Sequence, residues 1–338
     1  MRAMIQHRYG PPEAVLELME VDRPEVGDEE VLVRVKAASM HPDVWHVVHG
    51  WPYMLRLMGA GLRRPKVRVP GIDLAGRVEA TGKAATRFQP GDEVFGEIVK
   101  GHQWKNAGAY AEYAIVPEER LELKPSNLSF EQAAAIPTSG LIALQGVDRE
   151  GRARSGDNVL VNGAGGAVGS LAVQIAKALG AKVTAVDNSY KQDTLRSIGA
   201  DRVIDYTLED FTLGDERYDL ILDIPGNRSF DDLKRVIAPG GRYVLIGHDQ
   251  YGAQGNRWIG GTIGSILKLQ LLAPFGRAPK DAPAPVATAN PLAFLKELAE
   301  AGKLTPAIDR AFPLAEVPEA ISYLAEGRAA GKIVITAS

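Results

Sequence analysis

The stretch NVLVNGAGGAVGSLAVQIAKALG, residues 158–180, constrains this chain more than any other. A continuous apolar run, NVLVNGA (158–164), reads as a buried strand; a glycine cluster ends it, and SLAVQIAKALG (170–180) continues as a helix. The cluster contains A-x-G-x-x-G at Ala164, Gly166 and Gly169. Between a strand and a helix this spacing is a dinucleotide-binding fingerprint. Gly166 lets the backbone approach a pyrophosphate, and Gly169 lets the helix pack closely on the strand. The backbone N–H groups of Ala164, Gly165, Gly166, Ala167 and Val168 open the helix, so donors and the positive end of its dipole face the phosphates. A flexible loop gives the same letters; the flanking strand and helix favour the dinucleotide reading.

The pattern continues beyond the cluster. KVTAVD (182–187), RVIDY (202–206), YDLILDIPG (218–226) and GRYVLIGH (241–248) are apolar strands separated by helical segments. Such alternation predicts a parallel sheet with helices on both faces, a doubly wound α/β domain. Asp187 ends the second strand, where an acid bonds the adenosine ribose hydroxyls of NAD. Ser189 and Lys191 follow, and Lys191 suits a 2′-phosphate. Tyr206, after the third strand, is a candidate for the adenosine end. The alternative is that these side chains only solvate a loop. For a nicotinamide cofactor, NAD(P)(H), the acid leans the reading to NAD(H).

The first 125 residues differ in kind. VLVRVKAAS (31–39), DLAGRVEATG (73–82), DEVFGEIV (92–99) and AYAEYAIVP (109–117) are short β-type runs, with Pro90-Gly91-Asp92 as a turn, and suggest an antiparallel barrel or sandwich. Ser129 is a candidate N-cap for a helix that Pro137 interrupts. The tail returns to order with a helix at 291–302, an extended 304–314, a helix near 316–326 and the strand GKIVIT (331–336). Residues 251–287 are harder to read; GGTIGSILKLQLLAPFG suits a subunit contact or a wall of a substrate cleft better than a surface anchor. At 338 residues the chain exceeds a usual single core, so two domains are expected.

Composition narrows the function classes. A net charge of -3 gives no basic excess for nucleic acid. No cysteine is present, which excludes disulfides, thiolate zinc sites and cysteine nucleophiles. MRAMIQHRYG carries no apolar stretch of signal-peptide length, and no apolar run approaches the roughly 20 residues that span a bilayer. A soluble, cytoplasmic protein with no membrane partner is expected.

With VKAASMHPDVW, VPGIDLAGRVEATG, RFQPGDEVFGE, GAYAEYAIVP, LKPSNLSFEQAAAIPTSGLIALQG, GDNVLVNGAGGAVGSLAVQIAKALGA, LRSIGADRVIDY, YDLILDIPGN and GKIVIT in this order, the chain resembles the medium-chain dehydrogenase/reductase superfamily. Within it the likeness is to the zinc-independent quinone oxidoreductase branch. The resemblance implies a GroES-like β-barrel catalytic domain from residues 1–127 and 288–338. It also implies a Rossmann domain over 128–287, hydride transfer in the cleft between the two, and a homodimer. Further cofactor contacts implied are Thr138 near the nicotinamide, the loop Ile224-Pro225-Gly226-Asn227, Gly247 and His248, and Lys332, reaching a phosphate beside Gly331.

SMHPDVWHVVHG (39–50) holds His41, His46 and His49, which raises the question of a metal. Zinc-dependent members of the superfamily carry a cysteine ligand where His41 stands, a Gly-His-Glu motif where this chain has Gly71-Ile72-Asp73, and a second cysteine near Thr138 and Ser139. A catalytic zinc needs three converging ligands, and His41 precedes Pro42 in an extended stretch, so no metal is expected.

Without zinc, direct carbonyl reduction leaves an alkoxide unsupported. Reducing a C=C bond conjugated to a carbonyl, or a quinone, leaves a delocalised enolate or phenolate. The expected activity is therefore an NAD(P)H-dependent reduction of a small-molecule quinone or enone. The charge still needs donors and a proton, and the resemblance points to Tyr53 and His46 as catalytic residues. A core tyrosine and a solvated histidine are the alternatives. Where the family shows Asn-Pro-x-Asp, this chain has His41-Pro42-Asp43-Val44, with the acid one place earlier. Two other functions are kept: an alcohol dehydrogenase-type carbonyl reductase with a rebuilt metal site, and a non-catalytic dinucleotide-binding sensor.

Overall fold

The computed structural model describes residues 1–54, 56–99, 107–247, 285–286 and 290–337. The chain folds as two units, one built from residues 1–138 and 308–337, the other from the described residues between 139 and 307.

The first unit is mainly β. Its strands are β1 (Arg2–Gln6), β2 (Leu16–Glu20), β3 (Glu30–Ser39), β4 (Asp73–Thr81), β5 (Glu93–Glu97), β6 (Tyr113–Pro117) and β7 (Leu121–Leu123). Three short helices, α1 (Pro12–Val15), α2 (Asp43–His49) and α3 (Phe130–Ala134), lie between or after them, and Pro137–Leu144 forms α4. The long strand β3 buries Val31, Leu32, Val33 and Val35, exposes Arg34, and pairs antiparallel with β4 and β6. Valine runs of this kind suit a pleated, half-buried surface.

The second unit holds β8 (Asn158–Asn162), α5 (Ala167–Ala178), β9 (Lys182–Asp187), α6 (Gln192–Ser197), β10 (Arg202–Asp205), β11 (Tyr218–Asp223), α7 (Phe230–Val236), β12 (Ile237–Leu245) and α8 (Pro291–Glu300). Its five strands run parallel in the order β10-β9-β8-β11-β12. Order reverses between β8 and β11, the topological switch point of a doubly wound sheet. Leu160, Val186, Ile204 and Ile221 are buried in its core, as apolar parallel strands require. The chain then returns to the first unit as β13 (Ile308–Pro313), α9 (Val317–Ala325) and β14 (Lys332–Thr336). There β14 pairs with β3 in a sheet ordered β13-β14-β3-β4-β5-β7.

By packing, the first unit runs through Thr138 and resumes at Ile308. Helix α3, opened by Ser129 in a capping box with Gln132, packs on β3, β4, β5 and β14, so it belongs with the barrel strands. At the far end, Gln174 of α5 donates to Thr305 O at 3.1 Å and accepts from Thr305 N at 2.7 Å, which ties the segment after α8 to the second unit. Of residues 251–287, where the sequence suggested a cleft wall or subunit contact, all but 285 and 286 lie outside the described residues.

Candidate active site

The glycine turn has the geometry its spacing predicts. Gly163 has φ +81°, and Gly163 N and Ala164 N donate to Val186 O at 3.0 and 3.1 Å, binding the turn to β9. A Cβ on Gly169 would lie 2.2 Å from Gly163 O and 2.6 Å from Ala164 Cα, so only glycine lets α5 sit this close to β8. A Cβ on Gly166 would meet only Gly163 O, at 3.6 Å. Gly166 therefore leaves open space at the N-terminus of α5, next to Ala167 and Val168. A pyrophosphate needs open space of this kind beside the free N–H groups of a helix start.

At the end of β9, Asp187 is buried and engaged. Gly165 N donates to its Oδ2 at 2.7 Å, Asn188 N to its Oδ1 at 2.8 Å, and Lys191 Nζ lies 3.2 Å from Oδ1. The acid thus braces the glycine turn and carries its own counter-charge. Ser189 Oγ donates to Asn188 Oδ1 at 3.1 Å, while Tyr206 is exposed, its N donating to Asp187 O at 3.3 Å. Asp187, Lys191, Tyr206 and the glycine turn are brought together; Ser189 sits at their edge. Gly247 follows β12, where a Cβ would come 2.9 Å from Ile224 O; His248 lies outside the described residues.

The first unit arranges the other candidates. His46 lies on α2, 3% exposed, with Nδ1 3.0 Å from Trp51 O and its ring edge-on to Trp45 at 5.1 Å. A carbonyl only accepts, so Nδ1 carries the hydrogen, and in the neutral ring Nε2 is an acceptor. The solvated histidine of the sequence reading is thus a buried one. Tyr53 is 38% exposed, and the Arg56 guanidinium lies 4.7 Å from its ring. Arg56 also donates to Gly50 O at 3.0 Å and His49 O at 3.3 Å, so it clamps the turn between α2 and Tyr53.

The three histidines do not converge. His41 Nδ1 lies 3.2 Å from Asp43 Oδ2, and His49 stacks on Trp45 at 4.3 Å with Nδ1 2.9 Å from Trp45 O. Burial lowers the His49 pKa, opposed by the Trp45 carbonyl and Glu13. Among the described residues no group of three His, Asp or Glu is placed to hold a metal.

Asp73, beside the Ile72 that stands in the histidine position of zinc-dependent relatives, has become a hub. Thr138 N and Thr138 Oγ1 donate to its Oδ1 at 3.1 and 2.5 Å, and Ser39 Oγ donates to Oδ2 at 3.1 Å. The buried ammonium of Lys332 lies 3.6 Å from Oδ2. Burial lowers the Lys332 pKa, and Asp73, with Asp43 behind it, pulls it back up. Thr138 and Lys332, the sequence candidates for the nicotinamide and for a phosphate, are both buried and both contact this carboxylate. Glu97, the register partner of Asp73 on β5, is held by Arg120 at 3.1 Å. Burial, then the negative charge of Asp73, push its pKa up to about 7. A donor set of hydroxyls, an amide and an ammonium around Asp73 does not fit zinc.

Asp223, the last residue of β11, is a second such hub, accepting from Asn162 Nδ2, Gly226 N and the Tyr243 hydroxyl; both hubs and the raised Glu97 were missed from sequence. A carboxylate closing an apolar strand, as in YDLILD or beside LAG, was the available signal, because such a charge is buried and needs partners.

Two family models match: the alcohol dehydrogenase GroES-like domain over residues 27–126 and the zinc-binding dehydrogenase domain over 198–335. A 2-methylene-furan-3-one reductase of Solanum lycopersicum is 32% identical over 346 residues, covering 99% of this chain and 79% of the relative. A chloroplastic NADPH-dependent alkenal/one oxidoreductase of Arabidopsis thaliana is 30% identical over 351 residues, with coverage of 99% and 79%. Among solved structures, the quinone oxidoreductase from Coxiella burnetii superposes with a TM-score of 0.80 at 27% identity, covering 99% of both chains.

Proposed function

The chain belongs to the medium-chain dehydrogenase/reductase superfamily, in its quinone oxidoreductase-like branch, and from that premise we propose that it reduces quinones or α,β-unsaturated carbonyl compounds without zinc. It is an NAD(P)H-dependent oxidoreductase of that superfamily. The observation that carries the zinc-free reading is the Asp73 hub. Where relatives gather metal ligands, this chain has Ile72, and Thr138 and Lys332 are committed to a carboxylate. With no Lewis acid for an alkoxide, substrates whose reduction spreads charge over an enolate or phenolate are the ones this chemistry favours. The named activities of the relatives, on a methylene-furanone and on alkenals and alkenones, support the same class.

When bound, a reduced nicotinamide supplies the hydride. Gly166 and the N–H groups opening α5, with Ala164, Gly165, Ala167 and Val168, hold the pyrophosphate. Asp187, Ser189, Lys191 and Tyr206 would hold the adenosine ribose. Gly247 and His248 belong to the same binding set. Tyr53 donates a hydrogen bond to the developing oxyanion, and His46, whose Nδ1 is engaged by Trp51 O, is the second residue the resemblance assigns to this step. The buried positions of Thr138 and Lys332 favour an indirect part for both.

Asp187 supports NAD(H) as the preferred cofactor. A second reading, use of NADPH, is favoured by Lys191, whose charge already offsets Asp187. No described helix is long and apolar enough to cross a membrane. A cysteine-free chain fits a reducing cytoplasm, and a homodimer is the family expectation. The deciding experiment is NADH and NADPH oxidation with a panel of enones and quinones, before and after chelator dialysis. Turnover of at least one electrophilic alkene or quinone that survives dialysis is expected; no turnover across the panel sinks the proposal.

A further inference from the structure

We propose that Asp223 is a positioning residue for the dinucleotide, acting through Asn162 and the turn that follows β11; this rests on reading the glycine turn as the cofactor site. Asn162 is the last residue of β8 and Asp223 the last of β11, and the two are register partners. They therefore face each other across the place where strand order reverses, at the carboxyl ends of the strands, where doubly wound sheets bind ligands.

One buried carboxylate gathers three elements there. Asn162 Nδ2 donates to Asp223 Oδ1 at 2.9 Å, Gly226 N donates to the same oxygen at 3.0 Å, and the Tyr243 hydroxyl of β12 donates to Oδ2 at 2.7 Å. Asn162 Nδ2 also reaches Asn227 Oδ1 at 3.2 Å. The backbone repeats the link, since Ile224 N donates to Asn162 O at 3.1 Å. A Cβ on Gly163 would touch Pro225 Cδ at 3.0 Å, so the turn after β11 lies directly against the first residue of the glycine turn.

A buried carboxylate is costly unless hydrogen-bonded, and apolar side chains would join strands at less cost. All three donors meet at the strand ends, where they fix the separation of the glycine turn and residues 224–227. Both flank the pyrophosphate and nicotinamide half of a bound dinucleotide. The adenosine half belongs to the end of β9 and does not depend on Asp223.

That division provides the test. Wild type, Asp223→Asn and Asn162→Ala are titrated with NADH by fluorescence and with AMP by calorimetry. In Asp223→Asn the amide oxygen can keep Asn162 and Gly226, while the NH2 takes the Oδ2 place, where the Tyr243 hydroxyl must reverse and accept, so the carboxylate's charge and its bond from β12 are lost. Asn162→Ala removes the bridge and leaves Gly226 and Tyr243 on the carboxylate. Both variants are expected to bind NADH about tenfold more weakly while the AMP Kd stays within about twofold. Unchanged NADH affinity, or equal weakening for NADH and AMP, overturns the proposal, the second because it marks general loosening. Should Asp223→Asn not fold, Asn162→Ala decides by the same comparison. Wild type that binds neither NADH nor NADPH would overturn the cofactor reading itself, and this inference with it.

Discussion

Asp73 shows how one side chain can be legible in sequence and its role invisible. GIDLAG announces that a zinc motif is absent, but the partners that replace it, Ser39, Thr138 and Lys332, lie far apart along the chain and meet only in the fold. The ion pair is buried on both sides, so removing one partner leaves an uncompensated charge. Lys332→Met and Asp73→Asn should each lower stability in urea by about 3–5 kcal/mol, and the double variant by clearly less than their sum. Additive losses would mean that the two groups do not interact. Glu97 titrates in the same cluster. Its pKa in the folded protein, about 7, lies above the ordinary 4.5 because burial and Asp73 disfavour the charge. The folded protein then keeps a proton that the unfolded chain releases, so this contribution is fully present below pH 4.5 and is lost as pH rises through 7. Glu97→Gln should flatten that decline in Tm-against-pH profiles; a parallel profile would remove the residue from the account. For the chemistry, Tyr53→Phe is expected to lower kcat by about 10²-fold with NADH affinity unchanged, the loss typical of one oxyanion donor. His46→Phe tests the second donor, and full turnover in both leaves the segment a structural role.

At the scale of elements, strands and helices with strong periodicity were readable, and short or context-dependent ones were not. The parallel strands β8 to β11, with the helix after the glycines, stand out as apolar runs bounded by turns. By contrast β1, β2 and β7 are held by pairing across the sheet and carry little pattern of their own. Helix α3 was visible through Ser129, but its attachment to the first unit depends on packing against four strands. The glycine motif allows its two tasks to be separated. Gly169→Ala places a Cβ against backbone atoms, 2.2 Å from Gly163 O, and should cost about 1–3 kcal/mol of stability through overpacking. Gly166→Ala, at φ −85° with open space in front, should leave Tm nearly unchanged and weaken NADH binding at least tenfold. Thermal melts and NADH titrations of the two variants check this; matching profiles would mean that the motif does not divide so.

For the whole molecule, both units follow mainly from patterns that the periodic strands and helices display locally, whereas the chemistry depends on groups drawn from distant segments. The chain keeps the medium-chain dehydrogenase architecture, and under the zinc-free proposal the hydrogen bonds and the Lys332 ammonium gathered on Asp73 stand where relatives hold a metal. A cation that belongs to the polypeptide cannot be dialysed away, and this sets a prediction for the intact protein. Dialysis against a strong chelator should change neither Tm nor kcat with an enone or quinone, and added zinc should restore nothing. Saturating dinucleotide should raise Tm, because a ligand that binds only the folded state stabilises it by about 2.7 kcal/mol at a hundred times its Kd. Calorimetric melts of the dialysed protein, with and without NADH, measure both effects together. A Tm that falls on dialysis and recovers with zinc would favour a rebuilt metal site. A Tm that ignores dinucleotide would instead weaken the assignment of the glycine turn, because Gly166 and the start of α5 would then lack the ligand their open space implies.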